Sequence, residues 1–308
     1  MLIRSLKRPF HITLRSLTTP GDHAMTRPSF HTLMPHRRHA LTIAINRLMD
    51  TPSRLGLNTS LYDDFTYIHI QLKNSVHHSA ISLPWHRLFI HVFENALRTE
   101  GHYDGYLPYW DWTLDANDPL SSPIWDNRTG FGGNGTGPDN CVQEGILGKY
   151  IAKYNEWEYD EHCVKRKFED SVEDGMMHGK QWGKEVVKDI VEGSKTYGEF
   201  RERLESGPHK HLHLGIGGEM FGIGSTNDPL FFVHHTQVDR LWWLWQQQNP
   251  SERNHEYFGP RIEESDISTE EASIEDQVLM LGMGQDRSVR DLLTTNTDIL
   301  CYKYAMDI

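Results

Sequence analysis

Asp228-Pro229-Leu230-Phe231-Phe232-Val233-His234-His235-Thr236-Gln237-Val238-Asp239-Arg240-Leu241-Trp242 is the stretch that decides how this chain is read. Asp228 is a helix-capping residue type, Pro229 suits the first helical position, and Asn249-Pro250 ends the segment, so the spacing predicts one helix in between. His235 and Asp239 stand one helical turn apart on it. A carboxylate so placed can accept the free N–H of a metal-bound imidazole and fix its tautomer. Asp239 is therefore expected to support His235, against the plainer reading of an exposed i,i+4 pair.

Outward from that helix, His209 and His213 lie four apart, and on a helix they share one face with Cβ atoms ~5–6 Å apart. A second set lies far upstream: His69, His77 and His86, the last within Leu83-Pro84-Trp85-His86-Arg87. Nineteen histidines make accidental pairs common, and a lone one is usually a surface or hydrogen-bonded residue. Two clusters of three carry more weight. Neutral imidazole suits copper, zinc, iron and nickel, and the absence of thiol or carboxylate among the six turns the reading away from structural zinc. A mononuclear or structural site built from the second cluster alone is the competing reading.

The helical periodicity is readable elsewhere. Pro35 to Met49 places Leu41, Ala44, Ile45 and Leu48 on one face. A second helix starts near Asp63 and Asp64 and carries His69, leaving His77 in the turn-rich Asn74–Ser79 stretch. A third begins at Pro84 and runs to about Thr99, with His86 in its first turn and Glu94 further along. Asp115 to about Cys163 is rich in Gly, Asn, Asp and Pro and reads as a long connection. A further helix spans Tyr197 to Leu204. The fold class expected is mainly α: a helical bundle with long irregular loops and little β, whose core is a usual place for a metal site.

Composition sets limits. The 308 residues can bury one large core, and the formal charge of −12 speaks against nucleic acid and against a strongly anionic substrate. No apolar run approaches the ~18–20 residues that span a bilayer. Cys141 and Cys163 bracket one irregular segment and could pair, leaving Cys301 single. The first 20 residues carry Arg4, Lys7, Arg8 and Arg15 with no acid and lack the apolar stretch of a secretory signal. Residues 1–28 are therefore read as a disordered or processed segment ahead of a single domain over 29–308. Sequons at Asn58, Asn127 and Asn134 would matter only in the secretory pathway, so the compartment stays open.

His77, then Ser82-Leu83-Pro84-Trp85-His86-Arg87 and Glu94, resembles the first copper motif of tyrosinases, catechol oxidases and molluscan haemocyanins. Asp228 to Trp242 resembles the second, and Gly105-Tyr106-Leu107-Pro108-Tyr109-Trp110-Asp111-Trp112 looks like the segment that follows the first site in short fungal members. The likeness runs from about Tyr62 to Tyr304. It implies two copper ions, each held by three histidines: His69, His77 and His86 for one, His209, His213 and His235 for the other. Within the doublets the motif selects His77 over His78 and His235 over His234.

The departures from the motif bear on activity. Ser82 replaces the usual Phe, which should loosen packing beside the first copper, and Ser75 stands where some members carry a thioether-forming cysteine. Lys210 follows His209 where enzymes that hydroxylate monophenols often have Asn, an amide that works with a glutamate to hold a water. Leu204-Glu205 looks like that glutamate's position, making Glu205 the candidate proton acceptor, and Leu214 is expected at the substrate entrance. The resemblance thus implies a copper enzyme that oxidises o-diphenols or o-aminophenols with dioxygen and hydroxylates monophenols weakly or not at all. A full tyrosinase and a haemocyanin-like oxygen carrier are the alternatives. Tyr302-Lys303-Tyr304 resembles the motif closing the family's central domain, so no C-terminal shielding domain is expected.

Overall fold

The computed structural model describes residues 24–306 except 157, 170–176, 178, 262, 265 and 268–270. Its helices are α1 (Pro35–Asp50), α2 (Leu61–Val76), α3 (Ser82–Thr99), α4 (Lys184–Gly193), α5 (Tyr197–Leu204), α6 (Lys210–Ile216), α7 (Leu230–Gln248) and α8 (Pro250–Arg253). The strands are short: β1 (Met25–Thr26), β2 (Ile151–Asn155), β3 (Glu158–Cys163), β4 (Glu263–Glu264), β5 (Asp266–Ile267), β6 (Gln277–Val278), β7 (Arg287–Ser288) and β8 (Tyr302–Lys303). They pair only two by two, β1 with β8 in parallel and β2–β3, β4–β5 and β6–β7 antiparallel. The fold is mainly helical with little strand.

Local chemistry explains the helix ends. α2 begins at Leu61, two residues before the predicted start, because Ser60 and Asp63 form a reciprocal capping box. α7 starts at Leu230 with Pro229 at the capping position, one residue later than the sequence predicts. Asp228 Oδ1 still accepts from the Leu230 N–H at 3.0 Å, and the carboxylate takes a bidentate ion pair from buried Arg166 at 2.6 and 2.8 Å. That pair ties the irregular region to the helix that carries two histidines. α1 buries Leu41, Ala44, Ile45 and Leu48, the face its periodicity predicts.

α3 and α7 pack against each other through aromatic rings. Phe93 stacks on Phe232 at 3.5 Å between centroids, and Phe65 meets both edge-on. The region read as a long connection holds more order than expected: it contains the β2–β3 hairpin, stapled by a Cys141–Cys163 disulfide, over a small cluster of Val142, Leu147, Ala152 and Val164. Cys301 is free and exposed.

The N-terminal expectation needs correction. Residues 1–23 lie outside the described residues, but 24–28 are part of the packed fold. Met25 and Thr26 pair with Tyr302 and Lys303. Arg27 is fully buried, donating to Glu94 Oε2 from Nε at 3.1 Å and to the Tyr304 hydroxyl at 2.9 Å. Arg27, placed by the sequence reading inside the 1–28 segment, thus neutralises a buried carboxylate.

Candidate metal centre

Four helical segments converge on one region. α2 carries His69, and His77 follows its last residue in extended conformation (φ −122°, ψ 153°). α3 carries His86. After α5 the chain kinks at Gly207, whose backbone (φ −94°, ψ −116°) is not helical, and the kink swings His209 to the head of α6 with His213 one turn on. α7 contributes His234 and His235.

The rings form two adjoining groups. In the first, the centroid separations are 5.1 Å for His69–His77 and His77–His86 and 6.0 Å for His69–His86. In the second, His209–His213, His209–His235 and His213–His235 stand at 4.7, 5.0 and 5.7 Å. The groups meet where His86 stacks on His235 at 4.2 Å.

Five of these imidazoles point Nδ1 at a main-chain carbonyl: His69 at Ile223, His77 at Lys73, His86 at Ser82, His209 at Glu205 and His213 at Met220, over 2.6–3.1 Å. A carbonyl only accepts, so each Nδ1 carries the hydrogen and Nε2 keeps its lone pair. Nε2 of His69, His86 and His213 is buried with no partner, as are both ring nitrogens of His235. Desolvation holds every one of these imidazoles below the ordinary histidine value, His209 down to about 3. Neutral, converging nitrogen donors without hydrogen-bond partners fit a transition metal that imidazole prefers, copper included. A cavity of about 590 Å³ opens onto His69, His77, His209 and His213. A larger one, about 820 Å³ and lined by residues such as Asn46, Asn58 and Lys149, contains no histidine.

Residues 59–248 match the family model described as the common central domain of tyrosinase. The chain belongs to the tyrosinase family. Among relatives it is 36% identical over 287 residues to the tyrosinase-like protein phomQ2 of Diaporthe leptostromiformis, covering 91% of this chain and 72% of that one. It is 35% identical over 293 residues to the tyrosinase ustQ of Aspergillus flavus, covering 92% and 80%. A polyphenol oxidase from Thermothelomyces thermophila superposes with a TM-score of 0.80 at 25% identity, over 92% of this chain and 90% of that one. This tyrosinase-family chain is thus one of the type-3 copper oxidases, which act on phenols with dioxygen, and its histidine groups can hold metal.

The structure also shows what motif reading missed. His234, set aside in favour of His235, is fully buried in the second group, 4.9 Å from His213 and 5.4 Å from His209, with both nitrogens unpartnered. Asp239 does not serve His235. Its carboxylate accepts from Arg87 Nε at 2.6 Å and from the Tyr302 and Tyr304 hydroxyls at 2.6 and 2.7 Å, with Arg27 at 3.5 Å. Burial would raise its carboxyl, but Arg87 and Arg27 hold it below its ordinary value. The i,i+4 spacing is real, but two arginines from elsewhere in the chain outcompete a neutral imidazole for that charge.

Lys210 and Leu214 line the cavity, as does Glu205. Glu205 is already engaged: Oε1 accepts from the His78 N–H at 2.7 Å and from Ser82 Oγ at 3.0 Å, and Oε2 pairs with Arg201 at 2.7 Å. Ser82 therefore does not leave loose packing where a phenylalanine is usual; it is buried and bonded to this carboxylate. The carbonyls of Met220 and Ile223 were invisible to side-chain patterns, since backbone acceptors leave no residue signature. Gly217-Gly218, between His213 and His235, was the available hint, both with positive φ.

Proposed function

We propose that this chain is a dicopper polyphenol oxidase that converts o-diphenols to o-quinones, or o-aminophenols to quinone imines, with weak or no hydroxylation of monophenols. His69, His77 and His86 hold one copper, and His209, His213 and His235 the other. Bound there, two adjacent one-electron metals supply a site that takes both substrate electrons together and passes them to dioxygen. The balance is two catechols and one dioxygen giving two quinones and two waters.

The chain's own residues do the rest. The main-chain carbonyls keep the imidazoles in the tautomer that presents Nε2. Leu214, half-buried, offers an apolar edge to a substrate ring at the cavity wall. Two donors engage Glu205 Oε1 and one engages Oε2, so Oε2 has the lone pair left for a substrate proton. The observation that carries the specificity is Lys210, exposed on the cavity wall immediately after His209. An ammonium donates hydrogen bonds but accepts none, so it cannot orient a water for phenol deprotonation as an amide oxygen can, and it repels cationic amines. The open cavity favours an enzyme over an oxygen carrier, because substrate can reach the imidazoles.

Initial rates on 4-tert-butylcatechol, 2-aminophenol and tyramine, for wild type and Lys210→Asn, test this. Catechol or aminophenol oxidation should exceed tyramine hydroxylation by orders of magnitude, and Lys210→Asn should narrow the gap. Tyramine turned over without a lag at a rate near that of the catechol would sink the assignment.

A further inference from the structure

The two histidine groups share one support. Met220 O accepts from His213 Nδ1 at 2.6 Å, and Ile223 O accepts from His69 Nδ1 at 3.1 Å. A strap of main chain over Gly218–Ile223 therefore fixes the tautomer and aim of one imidazole in each group. The strap is seated firmly at its start. Gly217 and Gly218 (φ +64° and +55°) lie against Lys167 O and Lys165 O so closely that a Cβ would stand 2.4 and 2.1 Å from them. The Glu219 N–H donates to Lys165 O at 2.9 Å.

Glu219 is the one side chain of the strap that reaches into the fold through charge. It is buried, with Oε1 3.2 Å from His162 Nε2 on β3 and Oε2 accepting from Asn227 Nδ2 at 3.1 Å. The same Asn227 nitrogen donates to Tyr154 O on β2 at 2.8 Å. His162 points Nδ1 at Asp160 O, 2.7 Å away, while its Nε2 approaches Glu219 as an ion pair without the alignment of a hydrogen bond. It sits beside Cys163, whose disulfide to Cys141 staples the hairpin. Through one carboxylate the stapled hairpin thus bears on the strap, and through the strap on both groups.

We propose that Glu219 is a positioning residue for both metal sites at once: hydrogen-bonded by Asn227 and facing the charge of His162, it holds the Met220 and Ile223 carbonyls where they aim His213 and His69. This rests on the ligand reading above. The expected signature is coupled loss. Removing a ligand weakens one site, whereas releasing the strap weakens two. Partners that orient ligand imidazoles are typically worth ~10–100-fold in metal affinity.

The test is titration of copper-free protein with Cu(I) against the chromophoric chelator bicinchoninate, a readout that needs no turnover. Wild type should bind two coppers, and fewer would overturn the ligand reading itself. Glu219→Ala should weaken both sites by roughly 10–100-fold, with far-UV dichroism and the apo unfolding midpoint near wild type. Glu219→Gln keeps an oxygen for Asn227 and should recover most of the affinity; His162→Gln should fall between the two. Wild-type affinity in Glu219→Ala, or weakening at one site only, would overturn the proposal. Should Glu219→Ala fail to fold, Glu219→Gln and His162→Gln decide it, and unchanged affinity in both would overturn it equally.

Discussion

Asp239→Ala should cost this protein far more in stability than a typical substitution while leaving its metal sites able to load. Asp239 is 3% exposed, and Arg27 and Arg87 beside it are fully buried. Without the carboxylate, Arg27 keeps Glu94. Arg87 does not fare as well: it retains the carbonyls of Leu292 and Leu293, the Gln246 side chain at 3.4–3.5 Å and the face of Trp242, but no counter-charge. The Tyr302 and Tyr304 hydroxyls lose their shared acceptor. Stranding one member of a buried ion pair costs about 3–5 kcal/mol. At roughly 2–4 °C per kcal/mol for large domains, the midpoint should fall by roughly 6–20 °C. Thermal unfolding of copper-free protein, followed by tryptophan fluorescence, measures the shift and urea unfolding the free-energy cost, and the folded fraction should still take up two coppers. The double variant Arg87→Met/Asp239→Leu should recover most of the loss, because the penalty lies in the unpaired charge. A cost under about 1 kcal/mol for Asp239→Ala, or selective loss of the second copper, would refute this reasoning and restore an imidazole-supporting role.

Three further outcomes follow from the same geometry. His235→Ala should lower bound copper from two to about one per chain while His234→Ala retains two, by elemental analysis after reconstitution; the reverse would reassign the doublet. Replacing both Cys141 and Cys163 by Ser should cost roughly 3 kcal/mol of stability, the loop-closure value for this separation, read from denaturant midpoints. The third concerns pH. Contact with Glu219 raises the His162 pKa, so its contribution is fully present below the ordinary histidine value near ~6.5 and is lost as pH rises through the folded value. The buried imidazoles, with lowered pKa values, act in the opposite direction, destabilising the apo protein as pH falls below ~6.5. They are common to wild type and His162→Gln, so the difference in urea midpoint between those two proteins isolates His162. It should be larger at pH 5.5 than at pH 8.5, modestly so because His162 is only partly buried.

Helix content was legible because it is written in local periodicity. Leu41, Ala44, Ile45 and Leu48 share a face whatever else the chain does, and they are the buried apolar residues of α1. The hub around Asp239 was not legible, because its partners come from opposite ends of the chain: Arg27 is 212 positions away and Tyr304 is 65. No spacing rule reaches that far. A local i,i+4 signal was thus assigned a role that distant, better-charged groups had taken. The same holds for Arg27, which no local pattern in the sequence marks as a partner of Glu94 or Asp239.

The candidate site divides along the same line. Side-chain identity and spacing point to histidines, but not to what aims them, since the acceptors are carbonyls. His77, His86 and His209 each use the carbonyl four residues earlier, at Lys73, Ser82 and Glu205, so their orientation is set by helix-end geometry that a motif carries implicitly. His69 and His213 use Ile223 and Met220, 154 and 7 positions away, and no local rule supplies those. The consequence is physical as well as diagnostic. A ring aimed by main chain is insensitive to most neighbouring side chains and sensitive to whatever moves that main chain. For His77, His86 and His209 that means the helix ends and the Gly207 kink. For His69 and His213 it means the strap, and hence Glu219, which lies six residues past His213 and whose carboxylate is engaged by Asn227 and His162.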